Sequence, residues 1–120
     1  MVQQFRFMQM KNLGGYVCWP MIQNVTTGQT VWNPRDNGNK WKLLLGGHIM
    51  IDLSSADHKN EFQSGQLYRI GANVQAGDDA WCEEVFQYDT ASNLTLYMTA
   101  SGNLPHGQNL GYNGTSDPWD

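Results

Sequence analysis

Apolar side chains along this chain return at every second position rather than every third or fourth. Gln3 to Met10 puts Phe5 and Phe7 on one face, and Tyr16 to Asn24 sets Val17, Trp19 and Met21 against Tyr16, Cys18 and Ile22. Gln66 to Gln75 sets Leu67, Arg69 and Asn73 against Tyr68, Ile70 and Val74. Such alternation marks strands with one buried face. The same reading predicts strands at Thr30 to Asn33, Trp41 to Leu45, His48 to Leu53, Ala80 to Tyr88, Leu94 to Ala100 and Leu110 to Tyr112. Leu13-Gly14-Gly15, TTGQ, NPRDNGNK, AGDD and DTASN separate them with residues that favour turns. A helical turn is expected only over Ala56 to Phe62, ended by Gly65. Pro20 removes a ladder donor, so its strand is expected at an edge or a bulge. Gly46-Gly47, between Trp41 to Leu45 and His48 to Leu53, predicts one strand with a sharp bend or two separate strands.

Short strands at this spacing, with no internal repeat, predict an all-β fold: one antiparallel β-sandwich of about seven to eight strands, forming a single domain over residues 1–120. A chain of this length buries about two-thirds of its unfolded surface without metals or a disulfide framework.

Composition narrows the function. Charged residues make up 15 % of the chain, below the average of about 25 %. Asn, Gln, Ser, Thr and Gly take their place, as in β-rich ligand-binding domains. The formal charge is −4 and no Lys/Arg run exists, so nucleic acid is not an expected partner. MVQQFRFMQM lacks the charged-then-apolar pattern of a signal peptide. The expected setting is therefore the cytosol, or export without a classical signal unless a leader has been removed. Cys18 and Cys82 form one disulfide or stay as two buried thiols. Their apolar surroundings favour thiols, and the lack of a CxxC disfavours a redox or zinc motif.

No catalytic residue is assigned: the chain has no G-x-S-x-G elbow, phosphate-binding glycine loop or paired metal-ligand histidines. Of His48, His58 and His106, His48 beside Gly46-Gly47 is the strongest candidate for a role. Asp78 and Asp79 after Gly77 read first as a tight turn, and second as a site for Ca²⁺ or for sugar hydroxyls. Glu83 and Glu84 are expected within a strand and so on opposite faces.

The remaining signal is aromatic. Of five tryptophans, Trp32, Trp41, Trp81 and Trp119 fall at strand ends beside polar loops, where an indole can present a platform to a ligand or headgroup. Trp19 and Trp41 have an alternative reading as core, and Trp119 as tail packing. The candidate ligand-binding residues are Trp32, Asn33, Asp36 and Asn37 in one loop and Asp78, Asp79 and Trp81 in another. The expected partner is a glycan, with a membrane lipid as the alternative and a homodimer through strand edges as a third reading.

KLLLGGHIMIDLS, VQAGDDAW, FQYDTASNLTLYMTASGNL and NLGYNG, from about Lys42 to Gly114, resemble a group of small β-sandwich proteins of fungi and bacteria. The resemblance implies the fold and carries no catalytic signature. In size, class, acidity and tryptophan content the chain is also similar to aegerolysins and to fungal lectins with an actinoporin-like sandwich. No aligned motif of either is present, so no site residue transfers. The likeness implies recognition at a cell or membrane surface rather than catalysis.

Overall fold

The computed structural model describes residues 2–37, 40–56, 58 and 61–119; the side chains of Asp36 and Asn37 lie outside what it describes. The chain forms a two-layer β-sandwich. One sheet contains β1 (Gln3–Phe5), β3 (Cys18–Asn24), β4 (Thr30–Trp32), β6 (Leu67–Val74), β7 (Ala80–Trp81) and β8 (Phe86–Tyr88). Its order is β1-β8-β6-β3-β4, with β7 also on β6. The second sheet runs β10-β9-β2-β5, from β2 (Phe7–Asn12), β5 (His48–Asp52), β9 (Thr95–Ser101) and β10 (Asn109–Tyr112). Pairing is antiparallel except between β1 and β8 and between β2 and β9, which are parallel.

Both parallel pairs arise from one event. The predicted first strand changes sheet at Arg6, where Arg6 N and Phe7 N both donate to Leu94 O at 3.1 Å. The crossing resets the alternation. Phe5 is sealed in the core, whereas Met8 and Met10, not Phe7, point inward from β2. Phe7 instead lies half-buried beneath the Arg6 guanidinium, 4.7 Å from its ring centroid. Sheet-switching bends of this kind join the layers of many sandwiches.

Pro20 shows how a proline is tolerated inside a sheet. Cys18 exchanges backbone hydrogen bonds with Leu43, on the side away from β6. Pro20 is two residues on, so its nitrogen faces the same way. β4 pairs only from Ile22 onward, and the register shifts between Ile22 and Gln23. The missing donor therefore falls in a gap of the ladder, beside the predicted bulge.

Two expected strands are shorter or absent. Trp41 to Leu45 contributes only the Cys18–Leu43 bridge before the Gly46 turn, where φ is +81°. Ala80 to Tyr88 divides into β7 and β8. After Cys82 N donates to Ile70 O at 2.9 Å, the chain leaves the ladder until Phe86, so Glu83 and Glu84 are exposed on a link and not within a strand. The turn expected over Ala56 to Phe62 falls partly outside the described residues. His58 N to Ser55 O (3.0 Å) and Glu61 N to His58 O (2.9 Å) mark turns there.

The core between the sheets holds Phe5, Tyr68, Phe86, Tyr88, Met8, Met10, Leu96 and Met98 with their aliphatic neighbours. Phe5 meets Phe86 and Tyr88 edge-on at 6.1 and 6.0 Å between centroids. Cys18 and Cys82 are free thiols within it. Burial pushes Cys18 up to about 12, and raises Cys82 for the same reason.

Candidate functional site

β4 and β5 are edge strands, and described residues that follow each of them, Asn33, Pro34, Lys40 and Trp41 after β4 and His58 and Glu61 after β5, contribute to a cleft at the sandwich's flank. The cleft encloses about 420 Å³ and is lined by Val31, Trp32, Asn33, Pro34, Lys40, Trp41, His58 and Glu61. Small-molecule sites commonly occupy about 300–1,000 Å³.

Three rings build its wall. Trp32 meets Trp41 at 5.5 Å and 79°, and His58 at 5.4 Å and 77°. Trp41 and His58 lie 6.2 Å apart at 55°. Edge-to-face packing holds Trp32 against both of the other rings. Behind them, His58 contacts Phe62 at 6.2 Å, and Phe62 contacts Tyr68 at 5.5 Å, which ties the wall to the core. Trp32 is only 7 % exposed, so the platform expected of it is a supporting wall. β4 carries Trp32 inward toward the core cluster, and Trp41, offered above as either rim or core, is the half-buried ring beside it. Lys40 Nζ lies 5.4 Å from the Trp41 ring centroid.

Polar groups complete the cleft. His58 is 6 % exposed, and its Nδ1 has no hydrogen-bond partner among the described residues. Glu61 Oε1 stands 3.5 Å from it, at the outer limit of hydrogen bonding. A buried ring nitrogen without a partner is costly. That nitrogen is itself sealed from solvent, so in this arrangement His58 serves the cleft as a ring in its wall. Asn33 Oδ1 accepts from Asn73 Nδ2 at 3.0 Å, which fixes the amide and leaves its own NH₂ free to donate.

The two loops singled out from sequence flank the end of β6. Asn33 bonds Asn73, and Asp79 Oδ1 accepts from Val74 N at 3.1 Å. Arg35 Nη1 reaches both Asn73 Oδ1, at 2.8 Å, and Val74 O, at 3.4 Å. Trp32 and Asn33 line the cleft, while the Asp36 and Asn37 side chains lie outside the described residues. Asp79 ties the turn, and Asp78 pairs with His106 Nδ1 at 2.7 Å on the exposed surface. Among the described residues no group of three or more His, Cys, Asp or Glu is placed to hold a metal ion. Trp81 is half-buried on the outer face of the larger sheet, lying on Gly71, where a Cβ would come within 2.6 Å of its ring.

Sequence reasoning passed over His58, Glu61 and Lys40. His58 sits in the polar run SSADHKNEF and carries no spacing signal, whereas His48 is exposed on β5. Trp119, the remaining rim candidate, packs on Tyr97 at 5.6 Å, with Lys11 Nζ 5.5 Å from its ring. No protein-family model, curated protein or solved structure matches this chain.

Proposed function

We propose that this chain is a non-enzymatic, lectin-type carbohydrate-binding protein and that its site is the flank cleft. The observation that carries the reading is the cleft's wall: Trp32 packed edge-on against both Trp41 and His58, with the polar side chains of Asn33 and Glu61 around them. A sugar ring offers an apolar C–H face to an indole and hydroxyls to amide and carboxylate groups. Trp41 supplies the apolar contact, Asn33 donates and Glu61 accepts, while His58 backs the two indoles. Glu61 is the one carboxylate among the described lining residues, whereas glycoside hydrolysis ordinarily uses a pair. That favours binding over cleavage.

A glycan array followed by titration calorimetry tests the proposal. Trp41→Ala should weaken the best ligand on the order of tenfold to a hundredfold, as loss of an aromatic anchor does. Glu61→Gln should weaken it less. A folded protein that binds no glycan would remove the reading.

A second reading, membrane association, is favoured by a different observation. Leu13, Leu44, Leu45 and Leu104 are 57 %, 58 %, 64 % and 41 % exposed. They lie on loops tied together at one end of the sandwich by Gly46 N to Asn12 O (2.7 Å), Leu13 N to Ala100 O (2.8 Å) and Gly15 N to Gly102 O (2.9 Å). An exposed apolar cluster of this kind suits the headgroup boundary of a bilayer. Leucines, not indoles, provide it. Sedimentation with neutral and sphingolipid-containing vesicles should pellet the protein, and the Leu44→Ser, Leu45→Ser double variant should stay in the supernatant. A wild-type protein that never pellets would end this alternative.

A further inference from the structure

The chain carries a net charge of −4, yet Arg35, Lys40, Lys42 and Arg69 gather beside the cleft and across the outer face of the larger sheet. None of the four lies within ion-pair distance of a carboxylate among the described residues, where Arg6–Asp52 is the pair formed by an arginine. Aromatic rings hold these cations instead. Arg35 Cζ lies 4.8 Å, and Lys42 Nζ 5.7 Å, from the ring centroid of Trp19, which is 6 % exposed and outside the main core cluster. Arg69 Cζ lies 4.4 Å over Trp81, and its buried Nε has no hydrogen-bond partner among the described residues.

Trp19 pairs with Asn73, and Trp81 pairs with Gly71 on the opposite side of β6. Both indoles therefore project from the same outer face. Two residues along a strand and two strand spacings separate them, so the Cα atoms stand about 12 Å apart. The cleft joins this face through one polar chain. Asn33, in the cleft lining, accepts from Asn73, and Asn73 accepts from Arg35. Lys40 lines the cleft, and Lys42 reaches Trp19 on the outer face.

We propose that the ligand is an acidic oligosaccharide. One sugar ring occupies the cleft against Trp41, and the next units cross the outer face with uronate or sulfate groups on Arg35, Lys42 and Arg69. The inference rests on the carbohydrate reading of the cleft. A guanidinium held over an indole can still offer N–H groups to a carboxylate or sulfate: Arg35 has Nε and Nη2 beyond the Nη1 that bonds Asn73 and Val74, and Arg69 has its two terminal nitrogens beyond the buried Nε. Aromatic stacking orients the cations without neutralising them, so their charge remains available to an anion. The 12 Å spacing demands a chain rather than a single sugar. A nucleic acid fits less well, because four cations on an acidic protein do not track a continuous phosphate backbone.

The test is calorimetric titration of the full chain with three probes: a heparin-derived hexasaccharide, a hexagalacturonate and neutral cellohexaose. A single-stranded oligonucleotide of matching charge is the control. At low ionic strength at least one acidic hexamer should bind tenfold or more tightly than cellohexaose, and added salt should narrow that gap. The Arg35→Gln, Lys42→Gln double variant should lose at least tenfold on the acidic ligand and several-fold less on the neutral one, which meets Arg35 only indirectly through Asn73 and Asn33. Trp41→Ala should weaken both. If the double variant loses its fold by circular dichroism, Arg69→Gln replaces it, with the same selective loss expected. Equal affinity for acidic and neutral hexamers overturns this inference and leaves the carbohydrate reading standing. An oligonucleotide that binds as tightly as the acidic sugars overturns it in favour of general polyanion binding. No binding of any saccharide to folded protein overturns both.

Discussion

Replacing Asn12 by alanine should cost more than its size suggests, because this buried amide ties together three segments at one end of the sandwich. Asn12 is fully inaccessible to solvent. Its Nδ2 donates to Tyr16 O at 2.7 Å and Leu43 O at 3.2 Å, and its Oδ1 accepts from Gly14 N at 2.9 Å. Leu43 O retains Cys18 N at 3.1 Å after the substitution, so Tyr16 O and Gly14 N are the groups left without these bonds. At about 1–3 kcal/mol for each buried group left unsatisfied, the loss is roughly 2–6 kcal/mol, nearer the lower figure if water enters. Domains of this kind have only about 5–15 kcal/mol in hand. Urea unfolding followed by tryptophan fluorescence measures the change as a lower midpoint at unchanged slope. Asn12→Asp should do no better than alanine. It keeps an acceptor for Gly14 N but turns a carboxylate toward two carbonyl oxygens. A loss below about 1 kcal/mol for Asn12→Ala would mean that the amide does not organise these loops.

Two other outcomes follow from burial and charge. Cys18, pushed up to about 12 by burial, and Cys82, raised by the same cause, should resist iodoacetamide at pH 8 in the native protein and react fully in denaturant; rapid native labelling of either thiol would contradict the packing. The Arg6 guanidinium, with Nη2 3.1 Å from Asp52 Oδ2, holds the Asp52 carboxyl down from an ordinary 3.8 to about 2. A depressed carboxyl stabilises the folded state above its unfolded titration and loses that effect as pH falls through the folded value. Wild type should therefore exceed Asp52→Asn in thermal midpoint above about pH 4, with the difference closing toward pH 2. The gap should be small, because water reaches both side chains, and a constant gap from pH 7 to pH 2 would refute the assignment.

Much of the architecture was legible in alternation alone. Tyr68, Ile70 and Val74 on one side of β6, and Arg69 and Asn73 on the other, read directly as core and surface. Period two has no memory across a change of sheet, however. Nothing local in QQFRFMQM marks Arg6 as the crossing, and Phe7 was consequently expected beside Phe5 in the same face. The tryptophans show the same limit. A strand-end position says that an indole lies near a rim, but which neighbour supports and which lines depends on what packs from elsewhere. Trp32 is covered because β4 is an edge strand whose open side receives Trp41 and His58, and His58 comes from a distant polar segment with no pattern of its own. Asn33 was legible from its loop, and so was the proximity of aromatic and amide groups. The cation–aromatic pairs on the outer face were not, since Arg35, Lys42 and Arg69 meet Trp19 and Trp81 only through strand order.

The most direct test of the cleft as the binding site is a two-dimensional NMR titration that follows the five indole N–H signals. Saturating oligosaccharide should shift Trp32 and Trp41 strongly while Trp119, packed on Tyr97, stays in place. Saturable binding that moves Trp119 and leaves Trp32 and Trp41 unmoved would put the site elsewhere on the molecule.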